Sequence, residues 1–122
     1  MTSNPIGSSI LIIEDSPVIA LATEEMILAF GYIPAGPVGN MASALEYAES
    51  GGVDAAIVDL NIRGTKTFAL FSILKRRNIP FLIISGYADW KMPEEWADRP
   101  RLQKPFSEEQ LRAKLSEVLP MA

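Results

Sequence analysis

The sequence contains no cysteine and no histidine. The first absence excludes disulfides, thiolate metal sites and thiol nucleophiles, and fits a reducing cytoplasm. The second removes the commonest acid–base side chain, the usual zinc ligand and any Ser-His-Asp arrangement. Whatever chemistry the chain performs must run on carboxylates, hydroxyls and lysines. No apolar run is long enough to span a membrane, and Met1-Thr2-Ser3-Asn4-Pro5 lacks the charged and apolar regions of a signal peptide. No membrane association is expected, and a cytoplasmic location is the default. Positive charge is also scarce: 11 Lys and Arg against 15 Asp and Glu leave a net charge of −4. Direct nucleic-acid binding, which needs a basic face, is therefore not expected. The dense basic run Lys75-Arg76-Arg77 falls where a helix should end, and there it complements the helix dipole.

What is present suits one compact domain. The 122 residues are 48% hydrophobic and 21% charged, an ordinary globular composition. A short tail over 1–8 and a single domain over 9–120 are expected. Short apolar, β-branched runs alternate with longer amphipathic ones. Ser9 to Ile13, Ala55 to Asp59 and Phe81 to Ser85 read as strands covered on both faces. Tyr32 to Ala35 is a weaker strand whose proline predicts an edge position. Arg101 to Gln103 is a brief fifth strand. Helices are predicted after Ser16-Pro17, over Met41 to Ser50, over Thr67 to Arg77, and after Ser107, which is placed to cap the last of them. Asn61 to Gly64 reads as a loop. The stretch from Tyr87 to Pro100 is the least regular, with a short helix start at Pro93-Glu94-Glu95. The β-α alternation predicts an α/β three-layer sandwich around a central five-stranded parallel sheet.

In an open parallel sheet, ligands bind beyond the carboxyl ends of the strands. Four polar signals fall there: Glu14-Asp15 after the first strand, Asp59 ending the third, Ser85 ending the fourth, and Lys104 after the fifth. Each is commonplace alone. Together they place three carboxylates where only a cation could keep them from repelling one another, and hard oxygen donors suit Mg²⁺. A carboxylate can then serve as nucleophile toward phosphorus, with an ammonium and a hydroxyl holding the remaining oxygens.

Ile12-Ile13-Glu14-Asp15, Val58-Asp59, Ile84-Ser85-Gly86 and Lys104-Pro105-Phe106, in this order and spacing, resemble the receiver domains of bacterial response regulators over Ser9 to about Leu119. The resemblance implies a flavodoxin-like (βα)5 fold with strand order 2-1-3-4-5. It implies Asp59 as phosphoacceptor and Asp15 on Mg²⁺ directly. Glu14 would act through metal-bound water, and Asn61 would offer its backbone carbonyl to the metal. It further implies that Ser85 bonds a phosphoryl oxygen, that Lys104 pairs with another, and that the bond before Pro105 is cis. The expected donor is a histidine kinase or histidine phosphotransfer protein, with a downstream protein target possible. Such a chain is a phosphoacceptor, with at most slow autodephosphorylation, rather than an enzyme. A narrower likeness, carried by Asp59 to Gly64, Ile79-Pro80-Phe81, Ser85-Gly86-Tyr87 and Arg99 to Phe106, is to the FAT GUY group of stand-alone alphaproteobacterial receivers; Ser85 stands where that group favours Thr.

Two departures bear on signalling. Arg101 occupies the place of the family's usual switch aromatic, and Ile62-Arg63-Gly64 replaces the usual residues after the acceptor. Tyr87 is a candidate substitute for the aromatic, or only a surface side chain. Among alternatives, a haloacid-dehalogenase-type phosphatase needs a second acid two places after the nucleophile, where this chain has Asn61. A flavodoxin-like nucleotide binder needs a glycine- or hydroxyl-rich loop where this chain has Glu14-Asp15. A receiver-fold interaction module that is never phosphorylated, and a fragment of a hybrid kinase, remain open. The end of the sequence just past the last helix favours a stand-alone protein.

Overall fold

A computed structural model describes residues 7–86 and 93–119. Five parallel strands form the central sheet: β1 (Ser9–Ile13), β2 (Ile33–Val38), β3 (Ala55–Asp59), β6 (Phe81–Ser85) and β7 (Arg101–Gln103), in the order β2-β1-β3-β6-β7. This is the expected 2-1-3-4-5 order, because a two-stranded hairpin, β4 (Asn61–Ile62) and β5 (Thr65–Lys66), intervenes in the chain. The hairpin replaces the loop expected over Asn61 to Gly64. Helices α1 (Pro17–Ala29), α2 (Met41–Ser50), α3 (Phe68–Arg76) and α4 (Glu108–Val118) complete the layers. Among the described residues, the connection between β6 and β7 holds a single 3₁₀ turn, Glu94–Trp96, begun by Pro93 as the sequence indicates.

The strands separate two cores by simple alternation. Leu11, Ile13, Ala56, Val58, Phe81 and Ile83 pack with Ala44, Ala48, Leu70, Phe71 and Leu74 from α2 and α3. Ile10, Ile12, Ala55, Ile57, Leu82 and Ile84 pack with Ile27, Leu111, Leu115 and Val118 from α1 and α4. Burial on both faces explains why these strands read as continuous apolar runs. On the first face Phe71 stacks on Phe81, with centroids 5.1 Å apart, and meets Trp96 edge-on at 5.5 Å. On α1 the helical period leaves Val18, Leu21 and Leu28 exposed, so not every apolar residue of that helix serves the core.

β2 lies at a sheet edge, as its prolines indicate, but runs on to Val38. Its pairing with β1 shifts register between Leu11 and Ile13, where Gly36 adopts φ 87° and a Cβ would sit 3.0 Å from the Val38 nitrogen and 3.1 Å from the Ile12 carbonyl. Only glycine fits both demands.

The helix ends obey local chemistry. Ser16 accepts from the Ile19 amide with Pro17 at the first helical position, and Gly31 leaves α1 with φ 90°. Lys75 and Arg76 lie in the last turn of α3, where Arg76 also pairs with Glu49 at 2.6 Å; so exposed a pair adds little. Ser107 and Gln110 form a reciprocal capping box, with bonds of 3.1 and 2.8 Å. Ser107→Ala is expected to lower unfolding free energy by about 1 kcal/mol. An unchanged midpoint in urea would show that α4 is held by Leu111, Leu115 and Val118 alone.

Candidate functional site

Four strand ends converge on one corner of the sheet. Glu14 and Asp15 leave β1, Asp59 ends β3, Ser85 ends β6, and Lys104 follows β7. The sheet register sets this alignment, since Asp59 pairs with Ile84 and Ser85 with Gln103. The chain crosses from strand to strand by main-chain bonds at this edge: the Leu60 amide donates to the Ile84 carbonyl at 2.7 Å, and the Lys104 amide to the Ser85 carbonyl at 2.8 Å. The Lys104–Pro105 bond is cis, as expected.

Glu14, Asp59 and Ser85 are buried polar residues, at 7, 5 and 2% exposure. Lys104 Nζ lies 2.7 Å from Asp59 Oδ2 and 2.8 Å from Glu14 Oε1, bridging the two acids. Two charge-assisted bonds to one ammonium partly offset the cost of burying these carboxylates. Glu14 Oε2 accepts the Ser16 amide at 3.0 Å. Asp59 Oδ1 accepts the Asn61 amide at 3.1 Å, so both oxygens of that carboxylate have partners. Asp15 Oδ2 accepts the Arg63 amide at 2.8 Å.

The carboxyls respond to these surroundings in opposite directions. Burial pushes Glu14 above the usual carboxylate range, with the Asp59 charge adding to the rise and Lys104 and the Ser16 amide opposing it. Burial also pushes on Asp15, but the Arg63 amide, a hydrogen bond shared with Glu14 and the Lys104 charge outweigh it and hold Asp15 low. Burial alone would lower Lys104. Its bonds to Asp59 and Glu14, and their charges, raise it instead.

One ammonium cannot balance three carboxylates. Glu14, Asp15 and Asp59 each offer an oxygen, and these oxygens all lie within 4.8 Å of one another. Such an all-oxygen, strongly anionic donor set suits a hard divalent cation.

Three contributors escaped the sequence reading. Arg63 makes the hairpin turn with Gly64; both have positive φ, 51° and 84°, and the Arg63 side chain reaches the Gly39 carbonyl at 3.1 Å. The two-residue turn is the type favoured by strand twist, but it ordinarily carries Asn or Gly at its first position, so Arg63 gave no signal. The sequence marks Ser16 only as a helix cap, whereas its amide also donates to Glu14 Oε2. Thr67 is fully buried, and its hydroxyl donates to the Asp59 carbonyl at 2.7 Å. Arg101, in the place of the family's switch aromatic, opens β7 and is exposed. Tyr87, the candidate substitute, lies outside the described residues.

A flavodoxin-like sheet with an acid cluster and a lysine at its carboxyl edge defines a receiver-type domain. The response regulator receiver domain model matches residues 10–116, and the chain belongs to that family, the receivers of two-component systems. It is similar to SdrG from Sphingomonas melonis Fr1, with 38% identity, 93% of this chain and 98% of that chain covered, and a TM-score of 0.83. A structure described as the BeF3-activated conformation of SdrG from Pseudomonas melonis Fr1 shares 39% identity over 91% of this chain and 95% of that one, with a TM-score of 0.79. The receiver domain of the sensor histidine kinase PA1611 from Pseudomonas aeruginosa PAO1, described with a magnesium ion coordinated in its active site cleft, matches in fold at 22% identity. It covers 93% and 98% of the two chains, with a TM-score of 0.77. No curated protein matches the sequence. Among the described residues, no helix is long and apolar enough to cross a membrane.

Proposed function

We propose that residues 9–120 form a receiver that accepts a phosphoryl group on Asp59 from a phosphohistidine of a histidine kinase or histidine phosphotransfer protein. One observation carries this reading: Lys104 Nζ lies 2.7 Å from Asp59 Oδ2, across 45 residues of sequence, inside a cluster of two further acids. Family membership supports the same chemistry.

An Asp59 carboxylate oxygen attacks phosphorus, the phosphorus–nitrogen bond of the donor breaks, and its electron pair returns to the imidazole ring, which then takes up a proton. Asp59 Oδ1 is held by the Asn61 amide, which leaves Oδ2, now on Lys104, to make the new bond. Lys104 then passes from that oxygen to a phosphoryl oxygen, and the Ser85 hydroxyl donates to a second. Asp15, Asp59 and the Asn61 carbonyl would hold Mg²⁺, with Glu14 acting through its water shell. When bound, Mg²⁺ neutralises the carboxylates and the incoming phosphoryl oxygens. The modified chain then signals through a protein target or passes the phosphoryl group on.

Incubation of the full chain with Mg²⁺ and acetyl phosphate is expected to add one phosphoryl group by intact mass, and none in the presence of a chelator. Borohydride reduction followed by peptide mapping should place it on Asp59. If neither acetyl phosphate nor a phosphorylated histidine phosphotransfer protein gives an adduct, the chain is a receiver-fold interaction module that works unphosphorylated.

A further inference from the structure

We infer that Thr67 is a positioning residue for the phosphoacceptor, an inference that rests on the role proposed for Asp59. Thr67 immediately precedes α3, where a threonine ordinarily turns its hydroxyl onto the first free amides of the helix. Here it makes no such bond. The hydroxyl instead donates to the Asp59 carbonyl at 2.7 Å, eight residues back and fully buried. The Thr67 amide donates to the Leu60 carbonyl at 3.0 Å, so one residue closes the base of the β4–β5 hairpin on both the acceptor and its neighbour.

Of the three oxygens of Asp59, the carbonyl is the one that the site chemistry leaves unassigned. Oδ1 is held by the Asn61 amide and Oδ2 by Lys104. Asp59 is also the last residue of β3; the Leu60 amide that follows still donates to the Ile84 carbonyl at 2.7 Å, and beyond it the main chain turns into the hairpin. The Thr67 bond holds the carbonyl end of the peptide plane whose amide end is on Ile84, and the two together set the direction in which the carboxylate leaves the strand. In-line attack at phosphorus depends steeply on that direction. Thr67 leaves a helix amide without its usual side-chain partner and serves the acceptor instead.

The test compares Thr67→Val, which keeps the shape and loses the hydroxyl, with Thr67→Ser, which keeps the hydroxyl; Thr67→Ala carries the same comparison if the valine variant does not fold. Phosphoryl uptake by the full chain is timed by intact mass at saturating Mg²⁺ over a range of acetyl phosphate concentrations, well below the thermal midpoint. Loss of the hydroxyl should slow the maximal rate about tenfold and leave the half-saturating donor concentration unchanged. In the metal-free protein the ¹H–¹⁵N resonance of the Asn61 amide should move, because that amide reports on Asp59 Oδ1. Serine should restore both. A variant that melts earlier but keeps the wild-type rate and the Asn61 resonance would make Thr67 a structural residue only, and would overturn the inference. Failure of the wild type itself to take a phosphoryl group would instead remove the acceptor role on which the inference rests.

Discussion

Asp59→Asn is expected to abolish phosphoryl uptake, leaving no adduct detectable by intact mass under conditions that modify the wild type fully. The amide is a poor nucleophile and cannot form the acyl phosphate. The same change should leave the fold at least as stable as before. In the wild type, three acids share one ammonium, with Glu14 and Asp59 both on Lys104, so removing one negative charge relieves repulsion among those that remain. Glu14 supplies the check. Burial is the larger reason for its raised pKa and the Asp59 charge a further one, so the variant should bring Glu14 back toward its ordinary range in a ¹³C-detected titration. A variant that loses several kcal/mol of stability in urea would show that Asp59 is held for the fold as well as for the chemistry.

Lys104→Met is expected to act oppositely on stability. The methionine keeps most of the side chain's length and apolar body, but Glu14 and Asp59, each at most 7% exposed, lose the cation that links them. Breaking a buried pair by removing one partner typically costs about 3–5 kcal/mol. Asn61 and Ser16 amides remain on the two acids, and protonation offers further relief, so about 2–3 kcal/mol is expected at neutral pH.

The sign of the pH dependence follows from the direction of each shift. Lys104 is raised in the folded protein, so its contribution is complete at neutral pH and disappears only as the pH climbs through its raised value. In Lys104→Met, Glu14 loses an influence that lowers it, and its folded-state pKa rises further. The native variant then binds protons more tightly than the unfolded chain, and its stability should increase as the pH is lowered from neutral toward 5. Added Mg²⁺ should restore stability in proportion to its binding to the native state alone. Urea titrations at two pH values, with and without Mg²⁺, test all of this; a variant as stable as the wild type at neutral pH without metal would overturn it. Phosphoryl uptake should also fall, by about 10²–10³-fold, as for the loss of a donor aimed at developing charge.

The layers and the site differ in how far they could be read from sequence. β1, β3 and β6 are legible because burial on both faces produces unbroken runs such as Ile10 to Ile13, which few other environments tolerate. Their ends are legible because each run stops abruptly at a polar residue, and the rule that parallel strands present one chemical edge then brings Glu14, Asp59, Ser85 and Lys104 together. The caps at Ser16 and Ser107 could be read for an equally local reason. The β4–β5 hairpin could not. Two residues per strand carry no period, and the turn is made by Arg63, which adopts a positive φ against its own preference. What holds it there is contact with residues far away in sequence, Asp15 and Gly39. Thr67 was hidden for the same reason. The sequence makes it the first residue of a helix, and only its burial and its bond to the Asp59 carbonyl reveal its other partner.

The position of Lys104 just after the three-residue strand β7 has a consequence for how the molecule assembles. β1 and β3 lie in the middle of the sheet, and their pairing gathers the acids Glu14, Asp15 and Asp59. The cation that offsets two of them arrives only when the far edge strand docks beside β6. A folding intermediate lacking β7 would therefore carry unbalanced negative charge at one corner, so capture of the last strand is driven by electrostatic attraction as well as by burial of Leu102. Closing the sheet and balancing the charge of the acid cluster are thus one folding event.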